Sequence, residues 1–526
     1  RKENKSLKQL SYHKMKKRFL ILSFLLLGLL AGCIEEQPYQ PPIDTPTPIE
    51  PEKKDSFTIE ILQMNDIHGH IEDEGSYGGL ARANKLISEI RDETKEDNTI
   101  LIGNGDMLQE TAIARVGYGK VVIDAMSQMK FDMMGVGNHE FDWGLDKFLE
   151  YFDGDSSNGE ASFPLVNSNI YYENQLVKGT NVTSSLLLEK ENVKVGILSY
   201  IGNVYNSINA NMTVGYTFKA RPNEIAESVE ELGKKLKDEG ADIIIVNIHD
   251  GESSSCKDYQ ANTLLANLKY KDSYLVDAVI NGHTHTRQDA LFQRKDGTPL
   301  PVIQSAGKLA DFGRINLKYD PSLKKVTSAS VSHINVSKAN GTDLEVQKII
   351  SDHYNASKDV LEEVYCQNLE YIQRYDEDWQ AYISNVMIAA TGATASICNT
   401  GAFRNNVSKG VFDFNTLYAL NPFDNHIILC EIKGIDLKRF YDANRDKEIV
   451  YTKEYGSSIA TDKTYTLAII DYVYFGTYFA GYRTDTYTDT NLVLRDLIAM
   501  DLRLRKDTGF KVSRDYSNIL LSRVTS

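Results

Sequence analysis

Residues 131–144, FDMMGVGNHEFDWG, combine an apolar strand with a turn that is crowded with functional groups. Asn138, His139, Glu140 and Asp142 fall within five consecutive positions of that turn. A turn alone needs no imidazole and no pair of acids, whereas a metal ion and a phosphate would use all of these groups. The stretch therefore predicts a strand whose carboxyl end carries a ligand site.

The same plan of apolar strand and polar turn recurs through the first half of the chain. The further copies are FTIEILQMND at 57–66, TILIGNGD at 99–106, KVGILSYIG at 194–202, ADIIIVNIHDG at 241–251 and VDAVINGHTH at 276–285. Between the first two strands, helical spacing over 78–93 turns Leu80, Ile87 and Ile90 inward. Strands that alternate with helices predict a layered α/β domain, in which the carboxyl ends of the strands carry ligands.

Carboxylates, imidazoles and one amide gather at these strand ends. They are Asp66, His68, Asp106, Asn138, His139, His249, His283 and His285. One such residue alone is more often part of a turn, but a whole set at successive strand ends indicates a shared ligand. Imidazole with carboxylate suits Zn, Mn, Co or Fe better than Ca, and two such ions can activate water and clamp a phosphate. The residues predict two divalent metal ions, of open identity, and phosphoester chemistry.

The order of the motifs DxH, GD, GNHE, H and GHTH resembles the calcineurin-like metallophosphatase superfamily. With GGLAR at 78–82 and NHEFDWG at 138–144, the chain resembles the 5′-nucleotidase family in particular. The resemblance implies an α/β fold: a four-layer α/β/β/α metallophosphatase domain over 57–340 and a smaller α/β nucleotide-binding domain over 365–526. A stripe of residues from Val346 to Val360 predicts that one long helix over 341–364 connects them.

The resemblance also implies a role for each residue of the motifs. Asp66, His68 and His285 would bind the first metal ion, Asp106 would bridge, and Asn138, His249 and His283 would bind the second. His139 would face the phosphate, with Asp142 keeping its imidazole cationic and in one tautomer. Glu140 is expected to accept hydrogen bonds from backbone amides.

Specificity for the leaving group must come from the second domain, because the metal ions contact only phosphate. CNTGAFR at 398–404 resembles the family's NxGxxR motif, which implies that Arg404 grips a phosphate and that Asn399 and Gly401 meet the base or ribose. Phe423, in a PFxN segment, would be one face of an aromatic clamp, with core packing as the alternative. Arg374 in RYDEDW is a further candidate for substrate binding.

The other face of the clamp departs from the family pattern. Where the family carries a GGDG segment, residues 471–482 read DYVYFGTYFAGY. Tyr478 or Phe479 would then stack on the base, and the preferred base and phosphate stay open. The expected function is release of phosphate from 5′-nucleotides. The alternatives are a 2′,3′-cyclic-nucleotide phosphodiesterase, a UDP-sugar hydrolase and, third, a non-enzymatic surface-binding lipoprotein.

The N-terminal sequence has the pattern of a secretory leader. Basic residues after Met15 and the apolar run FLILSFLLLGLL at 19–30 predict a signal peptide over 15–33, preceded by residues 1–14. LAGC resembles the lipobox of prokaryotic lipoproteins, which implies a lipid on Cys33; an ordinary signal peptide or an anchor helix is the alternative. Residues 34–56, rich in Pro and Thr, predict an extended tether. We therefore expect a membrane-anchored protein outside the cytoplasm, at the cell surface or in the periplasm of a prokaryote.

Composition narrows the choice of partners. The net charge of −15 argues against binding of nucleic-acid polymers. Outside the cytoplasm, Cys256, Cys366, Cys398 and Cys430 would either form disulfides or stay as buried thiols. The expected partners are a nucleotide or related phosphoester and, through the lipid, a membrane. The sequence does not indicate an oligomeric state.

Overall fold

Two β-sheets lie face to face in the first half of the chain, and helices cover the outer face of each sheet. The computed structural model describes residues 55–190, 193–453 and 458–521. The predicted signal peptide with Cys33, and the predicted tether as far as residue 54, lie outside the described residues. Within the described ranges, every helix is too short or too polar to cross a lipid bilayer.

The first half contains eighteen strands and six α-helices among its described residues. The strands are β1 (Phe57–Met64), β2 (Thr99–Gly103), β3 (Met133–Met134), β4 (Leu165–Val166), β5 (Ile170–Tyr172), β6 (Gln175–Leu176), β7 (Val182–Thr183), β8 (Leu186–Lys190), β9 (Val193–Ile201), β10 (Tyr216–Phe218), β11 (Ile243–His249), β12 (Lys269–Tyr270), β13 (Ser273–Tyr274), β14 (Ala278–Ile280), β15 (Gln288–Gln293), β16 (Pro299–Gln304), β17 (Asp311–Asp320) and β18 (Lys325–Asn335). The helices are α1 (Leu80–Thr94), α2 (Ala112–Val116), α3 (Lys120–Gln128), α4 (Leu145–Leu149), α5 (Pro222–Asp238) and α6 (Gln260–Leu265).

The two sheets share one apolar core. The larger sheet has the strand order β18-β17-β1-β2-β3-β4-β7, and the smaller has β15-β16-β14-β11-β9-β8. Ile61 and Ile102 from the first sheet are buried in the same cluster as Ile197 and Ile245 from the second. Helices α1 and α3 pack on the outer face of the larger sheet, and α5 and α6 cover the smaller one. The α/β/β/α order of layers is thus confirmed.

Parallel pairing brings the carboxyl ends of the central strands together. In the larger sheet, β1, β2, β3 and β4 are parallel neighbours. In the smaller sheet, β9, β11, β14 and β16 are parallel neighbours. The predicted inward stripe of α1 is also confirmed, since Leu80, Ile87 and Ile90 are buried. Every strand end that the sequence marked as polar therefore lies at the carboxyl edge of one of two stacked sheets.

The single connecting helix predicted over 341–364 is wrong. The structure has α7 (Leu344–Ala356) and α8 (Lys358–Leu361), and Ser357 between them leaves the helical conformation with φ −112° and ψ 10°. The predicted stripe holds for Val346, which is buried, but fails at Val360, which is exposed. Leu361 is buried in its place, because the interruption shifts which residue faces inward.

The second half is a smaller α/β unit. Its described strands are β19 (Val364–Asn368), β20 (Ala395–Asn399), β21 (Gly410–Asp413), β22 (His426–Lys433), β23 (Glu448–Thr452), β24 (Thr464–Ile470) and β25 (Tyr487–Val493). Its described helices are α9 (Glu377–Thr391), α10 (Phe414–Leu420), α11 (Gly434–Asn444), α12 (Asp471–Phe475) and α13 (Leu494–Arg503). The main sheet has the order β23-β20-β24-β22-β25 and its core includes Trp379 of α9.

A buried side chain joins the two halves. Tyr418 of α10 belongs to the apolar cluster of the first half and is fully buried there. Helix α10 contacts both α2 and α8. The second half is therefore anchored against the first by an aromatic side chain, and the turn that follows α10 is carried to the same interface.

The four cysteines of the described region are buried thiols. Cys256, Cys366, Cys398 and Cys430 all lie in the interior, and no disulfide joins them. Burial raises the pKa of the Cys256 thiol to about 12, which keeps this group protonated and unreactive. Of the two possibilities that the sequence left open, the structure has the buried thiols.

Candidate active site

The predicted metal ligands converge where β1, β2, β3, β11 and β14 end. Three overlapping groups have donor atoms within 4.8 Å of one another: Asp66 with His68 and His285, His68 with Asp106 and His139, and Asp106 with His249 and His283. Asn138 joins the third group, because its Oδ1 lies 2.9 Å from His283 Nδ1. The sequence-predicted ligands are thus brought together, and the groups overlap through Asp106 and His68.

The distances divide the ligands into two sides with Asp106 between them. On one side, His285 Nε2 lies 3.4 Å from Asp66 Oδ1 and 2.9 Å from His68 Nε2. On the other side, His249 Nε2 lies 3.0 Å from Asp106 Oδ2. The same Asp106 oxygen is 4.0 Å from His68 Nε2, so that one carboxylate oxygen faces both sides. This arrangement fits a bridging ligand.

The backbone of the site is held in an uncommon conformation. Five of the predicted ligands have left-handed φ angles: Asp66 (52°), His68 (50°), Asp106 (52°), His283 (70°) and His285 (52°). Side chains other than glycine rarely adopt this region, and such residues cluster at functional sites. Gly137 permits a close approach of two of the turns, since a Cβ there would lie 2.3 Å from Asp106 Oδ1.

Unsatisfied buried atoms show that the pocket between these ligands suits a cation. Asp66 Oδ1, Asp106 Oδ2 and His249 Nε2 are buried, and none of them makes a well-aligned hydrogen bond within the described residues, although the last two lie 3.0 Å apart. Burial would lower the pKa of His249, but the charges of Asp106 and Asp66 outweigh it and raise that pKa to about 10. The two carboxylates are therefore stabilised by a positive charge beside them. A divalent ion bound by neutral imidazole would supply that charge.

Outer contacts orient the imidazoles. His249 Nδ1 donates to Asn104 O at 2.6 Å, and His68 Nδ1 donates to Gln109 O at 3.2 Å. Each ring then presents Nε2 to the centre, the arrangement typical of histidine ligands to metals. Burial lowers the pKa of His68 to about 3, so that its imidazole is neutral and can act as a ligand.

Glu140 has the structural role that the sequence predicted. Its Oε2 accepts from the backbone N–H groups of Asp106 at 2.8 Å and Gly137 at 2.7 Å, and its Oε1 accepts from Met107 at 2.9 Å. Burial and the charge of Asp106 raise its pKa to about 7, while the three amides favour the carboxylate. Glu140 thereby ties the turn after β2 to the turn after β3.

His139 and Asp142 form a hydrogen-bonded pair beside the ligand groups. His139 Nδ1 donates to Asp142 Oδ2 at 2.8 Å, and the His139 backbone N–H donates to Asp106 Oδ1 at 2.8 Å. Burial would lower the pKa of His139, but the charges of Asp142 and Asp106 outweigh it and raise that pKa to about 9. Because Nδ1 is engaged, only Nε2 is available for a further partner, and the grouping of His139 with His68 and Asp106 permits either a phosphate or a metal ion in that role.

One cleft of about 490 Å³ connects the ligand groups with the second half of the chain. Asp106, Asn138, His139 and His283 line one end, and Asn399, Gly401, Arg404 and Phe423 line the other. The Arg404 guanidinium lies 5.0 Å from the centre of the Phe423 ring, and that ring lies 6.3 Å from the His139 ring. The core-packing alternative for Phe423 is excluded, since its ring faces the cleft.

Three predicted substrate residues do not line the cleft. Arg374 donates from Nη1 to the Arg404 backbone carbonyl at 2.6 Å, so its charge serves the local fold. Phe479 is fully buried with its ring 5.0 Å from that of Phe440, and the Tyr478 ring lies 6.3 Å from the same ring. Phe479 is thus part of the domain core, and the exposed Tyr478 lies outside the lining of the cleft.

Tyr472 is the residue of the DYVYFGTYFAGY segment that lines the cleft. Tyr472 is the second residue after β24, and residues that follow a strand often contact ligands. This position therefore indicates Tyr472, whereas comparison with the GGDG pattern does not. The sequence prediction also missed Ser207, Asn209 and Met212, which line the cleft from the loop after β9. Nothing in the residue types of that loop distinguished it from an ordinary connection.

Comparison with protein families gives two matches. Residues 59–287 match the family model described as Calcineurin-like phosphoesterase, and residues 373–479 match that of the 5′-nucleotidase C-terminal domain. The snake venom 5′-nucleotidase of Naja atra is 26% identical over 451 residues, which cover 74% of this chain and 78% of the relative. Endonuclease YhcR of Bacillus subtilis (strain 168) is 23% identical over 458 residues, 79% of this chain. The chain spans only 37% of the length of that endonuclease.

A solved structure shares the fold over nearly the whole described region. The 5′-nucleotidase precursor from Thermus thermophilus superposes with a TM-score of 0.66 at 17% sequence identity. The match covers 87% of this chain and 98% of that one. The shared fold therefore extends over both halves of the molecule and not over the first alone.

Proposed function

We propose that this chain, which belongs to the 5′-nucleotidase family of calcineurin-like metallophosphoesterases, releases phosphate from 5′-nucleotides outside the cytoplasm. One observation carries the proposal: a single cleft has histidine and carboxylate ligands at one end and an exposed arginine with two aromatic residues at the other. The first end suits the phosphate of a nucleotide and the second suits its nucleoside.

Two divalent metal ions are part of this proposal. The first ion would be held by Asp66, His68 and His285, the second by Asn138, His249 and His283, and both by Asp106. Zn, Mn, Co and Fe accept this mixture of imidazole, carboxylate and amide. When bound, such ions lower the pKa of water and neutralise charge on phosphoryl oxygens. The unpartnered buried oxygens of Asp66 and Asp106 support the assignment.

His139 is assigned to the leaving group. With Nδ1–H donated to Asp142, a cationic ring keeps its Nε2 proton for an oxygen of the substrate. That proton stabilises the negative charge that develops on the departing oxygen and can be transferred to it. Asp142 holds the ring in this tautomer and favours its positive charge, which is the reason that the pKa of His139 is raised.

Arg404 and the aromatic residues are assigned to binding of the nucleotide. A guanidinium offers a planar fork of N–H donors and a face that stacks on aromatic rings, and Arg404 is exposed at the nucleoside end of the cleft. Phe423 and Tyr472 supply aromatic surface to a base from two separate segments. Asn399 offers a buried Oδ1 without a hydrogen-bond partner in the described region, which suits an N–H or hydroxyl donor on the base or ribose.

Location outside the cytoplasm rests on the N-terminal sequence. The apolar run at 19–30 and the LAGC sequence support export and attachment of a lipid to Cys33. A lipid on Cys33, followed by the Pro- and Thr-rich residues 34–56, would hold the described region away from the membrane surface.

Phosphate release, together with chromatographic detection of the nucleoside monophosphates formed from the cyclic nucleotide and the nucleotide sugar, tests the proposal on a panel of substrates. The panel contains AMP, UMP, 2′,3′-cyclic AMP, UDP-glucose and p-nitrophenyl phosphate, each with and without a chelator and after re-addition of Zn, Mn or Co. We expect hydrolysis of the 5′-nucleotides that is lost with the chelator and restored by metal. Preference for the cyclic nucleotide or for UDP-glucose would replace the proposed substrate, and activity unaffected by the chelator would refute the metal assignment.

A further inference from the structure

Asp424 joins two arginines that come from different halves of the molecule. Its Oδ2 lies 2.7 Å from Nη2 of Arg115, in α2 of the first half. Its Oδ1 accepts from Nη2 of Arg495, in α13 of the second half. Each carboxylate oxygen is thus used by one guanidinium, and the carboxylate is a bridge between the two halves.

This bridge is shielded from water. The side chains of Asp424 and Arg115 are 20% exposed, and that of Arg495 is 6% exposed. Arg495 also lies with its guanidinium 5.0 Å from the ring of Tyr418, the aromatic residue buried at the interface. Ion pairs in such surroundings interact more strongly than exposed pairs. Loss of the carboxylate charge would remove the anion that these two guanidinium groups share.

The bridge lies next to the aromatic residue of the cleft. Phe423 precedes Asp424, and its backbone carbonyl accepts a hydrogen bond from Arg495 Nη1 at 3.4 Å. On the other side, the Pro422 carbonyl accepts from the buried Gln109 Nε2 of the first half at 2.8 Å. The backbone of Phe423 is therefore held from both halves, at the place where its ring faces His139 and Arg404.

We infer that Asp424 is a positioning residue, which fixes the Phe423 ring over the cleft by clamping its turn between Arg115 and Arg495. The inference rests on the proposed function, since the ring is useful only to a substrate with a base. With Asp424 in this role, binding of the nucleoside depends on an ion-pair bridge between the two halves. Binding of the phosphate depends on other residues.

Asp424→Asn tests the inference, because it keeps the shape of the side chain and removes its charge. We expect KM for AMP to rise about tenfold, equivalent to about 1.4 kcal/mol, with kcat nearly unchanged. KM for p-nitrophenyl phosphate, which has no nucleoside, should stay at the wild-type value. Arg115→Gln should give the same split, because Arg115 pairs with Asp424 but, unlike Asp424, does not itself line the cleft.

The control is Asp436→Asn, which removes the same charge from an exposed pair with Arg439 at 3.3 Å and should change nothing. If Asp424→Asn raises KM for AMP and Arg115→Gln does not, Asp424 acts on the substrate directly and the inference is overturned. Equal losses on both substrates would likewise overturn it, by indicating a purely structural role.

A second measurement does not depend on nucleotide hydrolysis. Trp143 lines the cleft, and Trp379, the other tryptophan of the chain, is fully buried. Iodide quenching of fluorescence therefore reports the exposure of Trp143. Asp424→Asn should increase it, because Asp424 holds Arg115 over the ring of Tyr118, which packs edge-on against Trp143 at 5.7 Å. A wild-type protein that cleaves no nucleotide would refute the proposed function alone, and unchanged quenching in Asp424→Asn would then overturn the positioning role.

Discussion

Replacement of His139 by alanine separates its two possible roles. The substitution removes the ring and its hydrogen bond to Asp142, but it keeps the backbone N–H that donates to Asp106 Oδ1 at 2.8 Å. The support of the predicted bridging ligand is therefore retained. Loss of a positioned proton donor typically slows a reaction about 10²- to 10⁴-fold, which corresponds to roughly 3–5 kcal/mol of lost transition-state stabilisation.

The assay combines kinetics with metal analysis. We expect His139→Ala to lower kcat for AMP by that factor while metal content per chain, measured by inductively coupled plasma mass spectrometry, stays at the wild-type value. His353→Ala is the matched control, since His353 also pairs with an aspartate, Asp124, at 2.7 Å, but outside the cleft. Loss of metal in His139→Ala would refute the reasoning, because it would make His139 a ligand together with His68 and Asp106.

Two further substitutions test other parts of the site. Arg404→Ala should raise KM for AMP much more than KM for p-nitrophenyl phosphate. The control is Arg439→Ala, which removes an exposed arginine outside the cleft. Equal effects on the two substrates would show that Arg404 does not bind the nucleotide. Glu140→Gln should lower the midpoint of thermal unfolding measured by circular dichroism, because a carboxamide cannot accept from all three backbone amides and leaves a deficit of about 1–3 kcal/mol. Glu150→Gln, at an exposed pair with Lys147, is the control, and an equal midpoint in both variants would contradict the role of Glu140.

Much of the first half could be predicted from sequence, because its signals are local and repeated. Each buried strand ends in a turn with unusual side chains, and parallel pairing then brings these turns to the same edge without further information. Glu140 shows how far this reasoning extends. Its turn already contained enough candidate metal ligands, so Glu140 was expected to accept hydrogen bonds from backbone amides. In the structure it accepts from three of them.

The second half was harder to predict, since its site depends on contacts between segments distant in sequence. Aromatic residues are abundant in 471–482, and only packing against Phe440 decides that Phe479 is core while Tyr472 reaches the cleft. The position of the Arg374 side chain was hard to predict for a related reason, because its hydrogen bond to the carbonyl of Arg404 cannot be inferred from neighbouring residues. The helix break at Ser357 has no proline or glycine to indicate it.

The left-handed turns of the site have a consequence for how it acquires its ions. Each such residue costs about 1–3 kcal/mol in local conformation, and the packing of the two sheets around these turns must offset that cost. Ligands held on such a fixed backbone need little rearrangement when a metal ion binds. Ions could then be stripped and replaced without unfolding, and an ion that prefers another coordination number would complete its sphere with solvent instead of moving the backbone.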